Sequence, residues 1–227
     1  MITETATKSI GAPIRRLEDD RLLRGLGAYA ADVDLPEMLS LAVVRSELPH
    51  ARVRGVDVTA ALAMPGVVDA FAAADVPEFV KPLPSRSKVA PEHESVVQRP
   101  FAVDRVRYVG EPLAVVVATS RYLAEDAADV VKVDLEPLHA VVEADAAIQP
   151  GAERLFDGVE NLFSTFEVGS VGVDAAIREA DHVVERTFRT HRHSGVPLEC
   201  RGLVAAPDGE KGLALYGITK LPHYHRA

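Results

Sequence analysis

A continuous apolar run dominates the middle of the chain. Residues 113–118, Leu-Ala-Val-Val-Val-Ala, show no alternation between apolar and polar positions, which is typical of a β-strand covered on both faces. The preceding Val-Gly-Glu-Pro at 109–112 predicts a tight turn, because glycine tolerates unusual backbone angles and proline pre-sets its own. The pattern therefore predicts a turn that leads directly into a buried strand.

An amphipathic helix is predicted immediately after this strand. Thr119 or Ser120 can cap its amino end. Glu125 and Asp126 fall off the apolar face, and we interpret them as a solvated surface, since catalytic carboxylates with perturbed pKa values lie in clefts. The apolar face consists of Leu123, Ala127, Val130 and Val131.

Shorter stretches on either side predict strands and one further helix. A long loop is predicted over residues 72–100, where Pro77, Pro82, Pro84 and Pro91 break any regular element. For the one further helix, at 60–64, Thr59 is predicted to cap the amino end and Pro65-Gly66 to terminate the carboxyl end. The predicted strands are 38–46, 50–57, 67–71 and 131–135, and the predicted helix is 60–64.

The last third of the chain predicts a second unit reached through a linker at 148–162. Three strands with no helix after them form an incomplete layer, because the apolar face of a sheet has to be buried against something. The sequence therefore predicts a truncated second unit. Its predicted elements are a helix at 174–180, a long strand at 182–193, strands at 196–205 and 213–219, and a hairpin turn around 207–209.

Composition narrows the classes of function. The formal net charge of −9 argues against a nucleic-acid partner, which requires a positive surface. The single cysteine, Cys200, permits no intrachain disulfide and no cysteine-based zinc or iron-sulfur site within this chain. The first residues lack the apolar core of a signal peptide, and no apolar run is long enough for a membrane span. We therefore expect a cytoplasmic protein.

Several motifs together resemble one enzyme family. Tyr-Val-Gly-Glu-Pro-Leu-Ala-Val-Val-Val-Ala at 108–118 resembles the hammerhead domain that opens the large, molybdenum-binding subunit of the xanthine dehydrogenase, aldehyde oxidase and aerobic carbon monoxide dehydrogenase family. Further matching segments are Leu23-x-Gly-x-Gly-x-Tyr29-x-x-Asp32, Val44-Arg45-Ser46 with His50-Ala51-Arg52, Pro65-Gly66-Val67, and Glu136-Pro137-Leu138. The resemblance spans residues 11–226.

This resemblance implies an α+β fold in which an a/b hammerhead domain precedes the first strands of a truncated molybdenum-cofactor-binding domain. The implied boundaries are 1–20 for an N-terminal arm, 21–140 for the hammerhead, 141–165 for a linker and 166–227 for the incomplete cofactor domain. The complete enzyme would be an oxidoreductase that hydroxylates C–H bonds with water-derived oxygen or oxidises carbon monoxide. This chain alone is expected to be inactive and to scaffold the cofactor domain.

The resemblance also implies a cofactor and partners. The cofactor would be a molybdenum-molybdopterin cytosine dinucleotide, held mainly outside this chain. The expected partners are the remaining part of the molybdenum subunit, an iron-sulfur subunit and an FAD subunit.

One candidate cofactor-binding position follows from the resemblance at Thr219 and Lys220. Relatives carry, at the position of Lys220, a glutamine that hydrogen-bonds an oxygen ligand of the metal. A lysine there adds a positive charge and would favour an anionic ligand or substrate. The alternative is a solvated lysine at a strand end. Glu199 and Arg201 match a Glu-x-Arg-Gly step and are expected to form an internal ion pair.

Two other sites are considered from the residues alone. Cys200 lies among apolar strand residues, which predicts a buried and inert thiol. The pairs His191 with His193 and His223 with His225 would each point to one side of an extended chain, so a histidine-based metal site is an alternative. A second alternative is a non-catalytic hammerhead module for assembly or binding.

Overall fold

The computed structural model describes residues 10–83, 96, 98–162, 164–209, 212–221 and 223. The chain divides into two compact units, one formed by Glu37–Glu185 and the other by Met1–Pro36 together with Arg186–Ala227. The strands are β1 Ser40–Arg45, β2 Ala51–Asp57, β3 Val67–Ala72, β4 Arg105–Val106, β5 Pro112–Ala118, β6 Lys132–Pro137, β7 Leu203–Asp208 and β8 Gly212–Gly217. The helices are α1 Asp19–Leu23, α2 Thr59–Leu62, α3 Arg121–Asp129, α4 Ala144–Ala147 and α5 Val173–Glu179, with a 3-10 turn at Ala30–Asp32.

Two three-stranded antiparallel sheets build the unit of Glu37–Glu185. The first has the order β1-β5-β3, and the second has the order β4-β2-β6. The predicted long strands before and after the central run are confirmed within a few residues. The mixture of helices and sheets agrees with the α+β prediction.

The central strand β5 is buried on both faces, as its unbroken apolar sequence predicts. Leu113 is 1% exposed and packs in one cluster with Ala51 and Val106. Val116 is fully buried and packs in a second cluster, against α2, β3 and α3. Because neighbouring strand residues face opposite sides of a sheet, one strand contributes to both cores. Burial of one such side chain contributes about 1.5 to 3 kcal/mol.

The turn before β5 is confirmed. Gly110 has a φ of +89°, in the left-handed region that glycine occupies without a steric penalty. Pro112 is the first residue of β5, a position where its missing N–H interrupts no central ladder.

The amino ends of α2 and α3 are capped in different ways. Ser120 caps α3, because its Oγ accepts a hydrogen bond from the Leu123 N–H at 3.3 Å. The prediction that Thr59 caps α2 is wrong. Thr59 is the first residue of the helix, and its N–H donates instead to Asp57 Oδ1 at 2.9 Å. An aspartate two residues ahead of the first free amide serves the same purpose as a cap.

The predicted linker segment is folded back on itself within the same unit. The side-chain amide of Asn161 donates to the carbonyl oxygens of Ala147 and Glu153, at 3.0 and 2.8 Å. Its Oδ1 accepts from the Leu155 N–H at 3.3 Å. One asparagine therefore closes the loop that follows α4.

The other unit is smaller and contains α1, the 3-10 turn and the β7-β8 hairpin. The hairpin is antiparallel, with Leu203 opposite Gly217 and Asp208 opposite Gly212. The predicted strand at 182–193 is wrong, because these residues are exposed and belong to no strand. Alternation gives a segment two faces, but a strand also needs a neighbouring strand that supplies its ladder of hydrogen bonds.

Candidate functional site

The candidate site begins where β8 ends. Thr219 and Lys220 follow β8 by two residues, and both side chains are exposed. The Leu221 N–H donates to Thr219 Oγ1 at 3.3 Å, which makes a local turn at this point. The site thus presents a hydroxyl group and an ammonium group, and the ammonium can only donate hydrogen bonds. This donor chemistry fits an oxygen-rich or anionic group.

Close backbone packing fixes the strand end from which the site emerges. A Cβ at Gly217 would lie 2.5 Å from the carbonyl oxygen of Gly202 and 3.4 Å from Leu203 Cα. These partners are backbone atoms, which cannot rotate away as a side chain can. Only glycine therefore fits at position 217 without a shift of the hairpin.

Glu199 does not make the predicted ion pair with Arg201. No such pair exists between these two described residues, and Glu199 Oε1 instead accepts a hydrogen bond from the Ala30 backbone N–H at 2.9 Å. A carboxylate can satisfy a buried backbone donor that an ion pair with an exposed arginine would leave unpaired. The sequence separation of 169 residues explains why no local pattern reveals this contact.

The prediction of a buried Cys200 is wrong. The thiol is exposed, because the strand in this region begins at Leu203 and the cysteine precedes it. Its apolar neighbours in the sequence therefore do not enclose it.

The histidine-based metal site gains no support from the residues that the structure describes. His191, His193 and His223 are exposed, and the described part of the chain contains no group of three or more potential metal ligands. His193 Nδ1 lies 3.3 Å from the carbonyl oxygen of His191. His225 lies outside the described residues. Glu125 and Asp126 are exposed, as predicted, and Glu125 pairs with Arg121 at 2.8 Å.

The sequence did not predict a cluster of buried polar residues beside the central turn. Glu111 is 6% exposed, and its Oε2 accepts a hydrogen bond from the Arg107 N–H at 2.6 Å. Burial raises the pKa of the Glu111 carboxyl above its usual range, and the hydrogen bond from Arg107 opposes this shift. Burial and the nearby Glu111 charge also raise the pKa of the Tyr108 hydroxyl. The turn motif was visible in the sequence, but the burial of its acid was not.

His50 is a second buried polar group that the sequence did not reveal. It is 1% exposed, and its Nδ1 donates to the carbonyl oxygen of His139 at 2.9 Å. A carbonyl oxygen only accepts, so Nδ1 carries the proton. Nε2 has no hydrogen-bond partner among the described residues. These contacts join the start of β2 to the chain beyond β6, which is a structural role.

Both parts of the chain match known family models. Residues 24–139 match the a/b hammerhead domain of aldehyde oxidase and xanthine dehydrogenase, and residues 155–227 match the molybdopterin cofactor-binding domain. In the part of the chain that the structure describes, no helix is long and apolar enough to cross a bilayer.

Individual relatives agree with these models. The nicotine 6-hydroxylase large subunit of Paenarthrobacter nicotinovorans is 36% identical over 95% of this chain and 26% of its own length. The carbon monoxide dehydrogenase large chain of Afipia carboxidovorans is 35% identical over 96% of this chain and 28% of its own length. The crystal structure of quinoline 2-oxidoreductase from Pseudomonas putida 86 superimposes with a TM-score of 0.83 and 37% identity, over 96% of this chain and 28% of that chain.

A hammerhead domain followed by the beginning of a molybdopterin-binding domain defines the class of molybdenum hydroxylase large subunits. The chain spans about a quarter of the length of these relatives. It belongs to the aldehyde oxidase and xanthine dehydrogenase family, and it corresponds to the N-terminal part of the large subunit of these oxidoreductases.

Proposed function

We propose that this chain is the scaffolding N-terminal portion of an enzyme that hydroxylates a C–H bond with water-derived oxygen or oxidises carbon monoxide. In this proposal the hammerhead domain supports the cofactor-binding domain, and the chain is inactive alone. The proposed domains are an arm at 1–20, the hammerhead at 21–140, a linker at 141–165 and the start of the cofactor domain at 166–227.

The β7-β8 hairpin is the observation that carries this proposal. Leu203, Leu213 and Leu215 share one face of the hairpin and are 65%, 60% and 50% exposed. Val204 and Tyr216 lie opposite each other on the other face. A sheet that is apolar on both faces requires a covering layer on each side. The remaining part of the molybdenum subunit would supply these layers.

Thr219 and Lys220 are the residues that we propose to hold the cofactor. When bound, a molybdenum-molybdopterin group in its cytosine dinucleotide form would supply the two-electron redox chemistry of the enzyme. The Lys220 ammonium would donate to an oxygen of this group or of an anionic substrate. The Thr219 hydroxyl already accepts from the Leu221 N–H, so its proton remains free to donate outward.

Electrons from such a centre would leave through an iron-sulfur subunit and an FAD subunit, which are the further proposed partners. We also propose that the assembly is cytoplasmic and has no nucleic-acid partner. The net charge of −9 supports the second statement.

Elemental analysis of the native complex, isolated from source cells through this chain, tests the proposal. The expected result is molybdenum in stoichiometric amount, together with additional subunits on a denaturing gel. A metal-free chain without partners would contradict it. The rival function is a free-standing hammerhead module, which predicts a well-behaved monomer despite the exposed hairpin.

The role of Lys220 is tested separately by substitution. Lys220→Ala is expected to lower the molybdenum content of the complex, whereas Lys132→Ala, which removes an exposed lysine on β6, is expected to leave it unchanged. Equal molybdenum content in both variants would remove Lys220 from the site.

A further inference from the structure

Two carboxylates accept hydrogen bonds from the backbone N–H groups of Tyr29 and Ala30, at the start of the 3-10 turn. The Tyr29 N–H donates to Asp32 Oδ2 at 2.9 Å, within the turn itself. The Ala30 N–H donates to Glu199 Oε1 at 2.9 Å, far away in the sequence but within the same unit. The Asp32 side chain therefore closes the turn on itself. The Glu199 side chain connects the turn to the chain before β7.

The packing around Ala30 supports this connection. Ala30 is 9% exposed, and it is the only buried residue among the described residues 10–36. A Cβ at Gly202 would lie 3.4 Å from the Ala30 Cβ, so the two segments are in close approach. One hydrogen bond and one small-residue contact thus attach the Tyr29–Asp32 turn to the chain before β7.

The same segment also packs closely against the last residue of β8. The Gly202 carbonyl oxygen is the atom that leaves no room for a Cβ at Gly217. Gly217 lies two positions before Thr219. These close approaches connect Glu199 to Ala30, Ala30 to Gly202, and Gly202 to Gly217 at the strand end that presents Thr219 and Lys220.

We propose that Glu199 is a positioning residue that anchors the Tyr29–Asp32 turn and thereby fixes the position of Thr219 and Lys220. The importance of those two residues rests on the proposed function, whereas the anchor itself does not. The Tyr29–Asp32 turn is then an integral part of the unit that contains β7 and β8, and it is the partner that the Glu199 carboxylate recognises. The chemistry of recognition is a charged acceptor for one backbone donor.

Hydrogen exchange of the full chain, in the assembly in which it is purified, tests this proposal. Two peptides are followed by mass spectrometry, one covering residues 27–34 and one covering 216–221. In Glu199→Ala, exchange of the Ala30 amide is expected to accelerate by about tenfold to hundredfold, the effect of losing a hydrogen bond to a charged acceptor. Peptide 216–221 is expected to exchange faster as well.

Two variants separate positioning from general destabilisation. Glu199→Gln keeps a side-chain oxygen that accepts from Ala30, so it is expected to restore most of the protection in both peptides. Glu167→Ala removes an exposed carboxylate from the other unit and is expected to change neither peptide. Amides in the middle of the β7-β8 ladder are expected to remain protected in all three variants.

Ala30→Pro provides an independent test from the other partner. Proline has no N–H, and it is accepted at the first position of a helical turn after an extended residue, as Tyr29 is, with a φ of −111° and a ψ of 167°. The Asp32 and Val33 amides are expected to exchange faster in this variant, although Glu199 is intact.

Each outcome decides the proposal. An unchanged Ala30 amide in Glu199→Ala would overturn the anchor. A faster Ala30 amide with an unchanged peptide 216–221 would overturn the positioning role. Molybdenum content is measured on the same samples, so a failure of the proposed function is recorded separately from a failure of the anchor.

Discussion

The backbone N–H of Arg107 lies 2.6 Å from Oε2 of Glu111, so the turn before β5 is closed by the side chain of its own acid. The backbone closes the same turn against β1. The Gly110 N–H donates to the Ser46 carbonyl oxygen at 2.8 Å, and the Ser46 N–H donates to the Glu111 carbonyl oxygen at 3.0 Å. A carboxyl group is therefore buried at the point where the central strand β5 begins.

The burial of Glu111 predicts a pH dependence of stability. Because burial raises the pKa of this carboxyl above its unfolded value of 4.5, its contribution is fully present below that value and is lost as the pH rises through the folded-state pKa. The Glu111→Gln variant has no titratable group at this position, so it does not show this pH dependence. The free energy of unfolding of the parent chain, relative to Glu111→Gln, is therefore expected to fall as the pH rises from below 4.5 through the raised folded-state pKa.

Urea denaturation of both proteins at several pH values measures this difference. Glu125→Gln is the matched control, because Glu125 is an exposed glutamate on α3. A difference between parent and Glu111→Gln that stays constant or increases with pH would contradict the prediction.

Substitutions at three glycines of the Glu37–Glu185 unit allow backbone strain and steric overlap to be measured separately. Gly66 has a φ of +88°, and a Cβ there would lie 2.6 Å from Leu123 Cδ1. Gly110 has a φ of +89° with open space around it, and Gly55 has open space and no positive φ. We expect Gly110→Ala to destabilise by about 1 kcal/mol, from strain alone.

Gly66→Ala is expected to destabilise by about 2 to 4 kcal/mol, because overpacking adds to the strain. Gly55→Ala is expected to lie within about 0.5 kcal/mol of the parent. Chemical denaturation of the three variants gives the order, and equal effects of Gly66→Ala and Gly110→Ala would show that the Leu123 side chain moves aside without cost.

Arg107 fixes the segment after α4, and this predicts a local effect of its removal. Its guanidinium lies 4.6 Å from the ring centroid of Phe156, and its Nε donates to the Leu155 carbonyl oxygen at 2.9 Å. Arg107→Ala is expected to release this segment and to accelerate tryptic cleavage after Arg154 by about fivefold or more.

Arg54→Ala is the control for that experiment. Arg54 forms a surface ion pair with Glu136, and such pairs contribute about 0 to 1 kcal/mol. Cleavage after Arg154 that is equally fast in the parent chain and in Arg107→Ala would show that other contacts hold the segment.

Leu113 and Leu41 provide a comparison of two leucines within one sheet. Leu113 is 1% exposed on β5, and Leu41 is 60% exposed on β1. Leu113→Ala is expected to lower the free energy of unfolding by about 2 to 5 kcal/mol, and Leu41→Ala by less than about 1 kcal/mol. Similar values from urea denaturation would mean that β5 does not form the core in solution.

The parts of the fold that depend on local pattern were predictable from the sequence. The unbroken apolar run gave β5, and the serine before the amphipathic stretch gave the cap of α3. The strand predicted at 182–193 failed, since its alternation contains no information about a neighbouring strand.

The candidate site was less accessible to sequence reasoning. Thr219 and Lys220 were identified through a family resemblance, and their role remains a prediction. Glu199 was assigned the wrong partner, because its hydrogen bond reaches across 169 residues. Glu111 and His50 are polar residues, and only the packing of the two sheets places them inside.

The two apolar faces of the β7-β8 hairpin have a consequence for its alignment during folding. In most hairpins, a shift by one residue exchanges the buried face for the solvated one, and this penalty selects the correct pairing. Here both faces are apolar, so a shifted pairing would bury nearly the same surface. The selection depends instead on Gly212, with a φ of +92°, and on the close approach of Gly217 to Gly202. The absence of a side chain at Gly212 and at Gly217 thus determines which of several almost equivalent strand pairings the hairpin adopts.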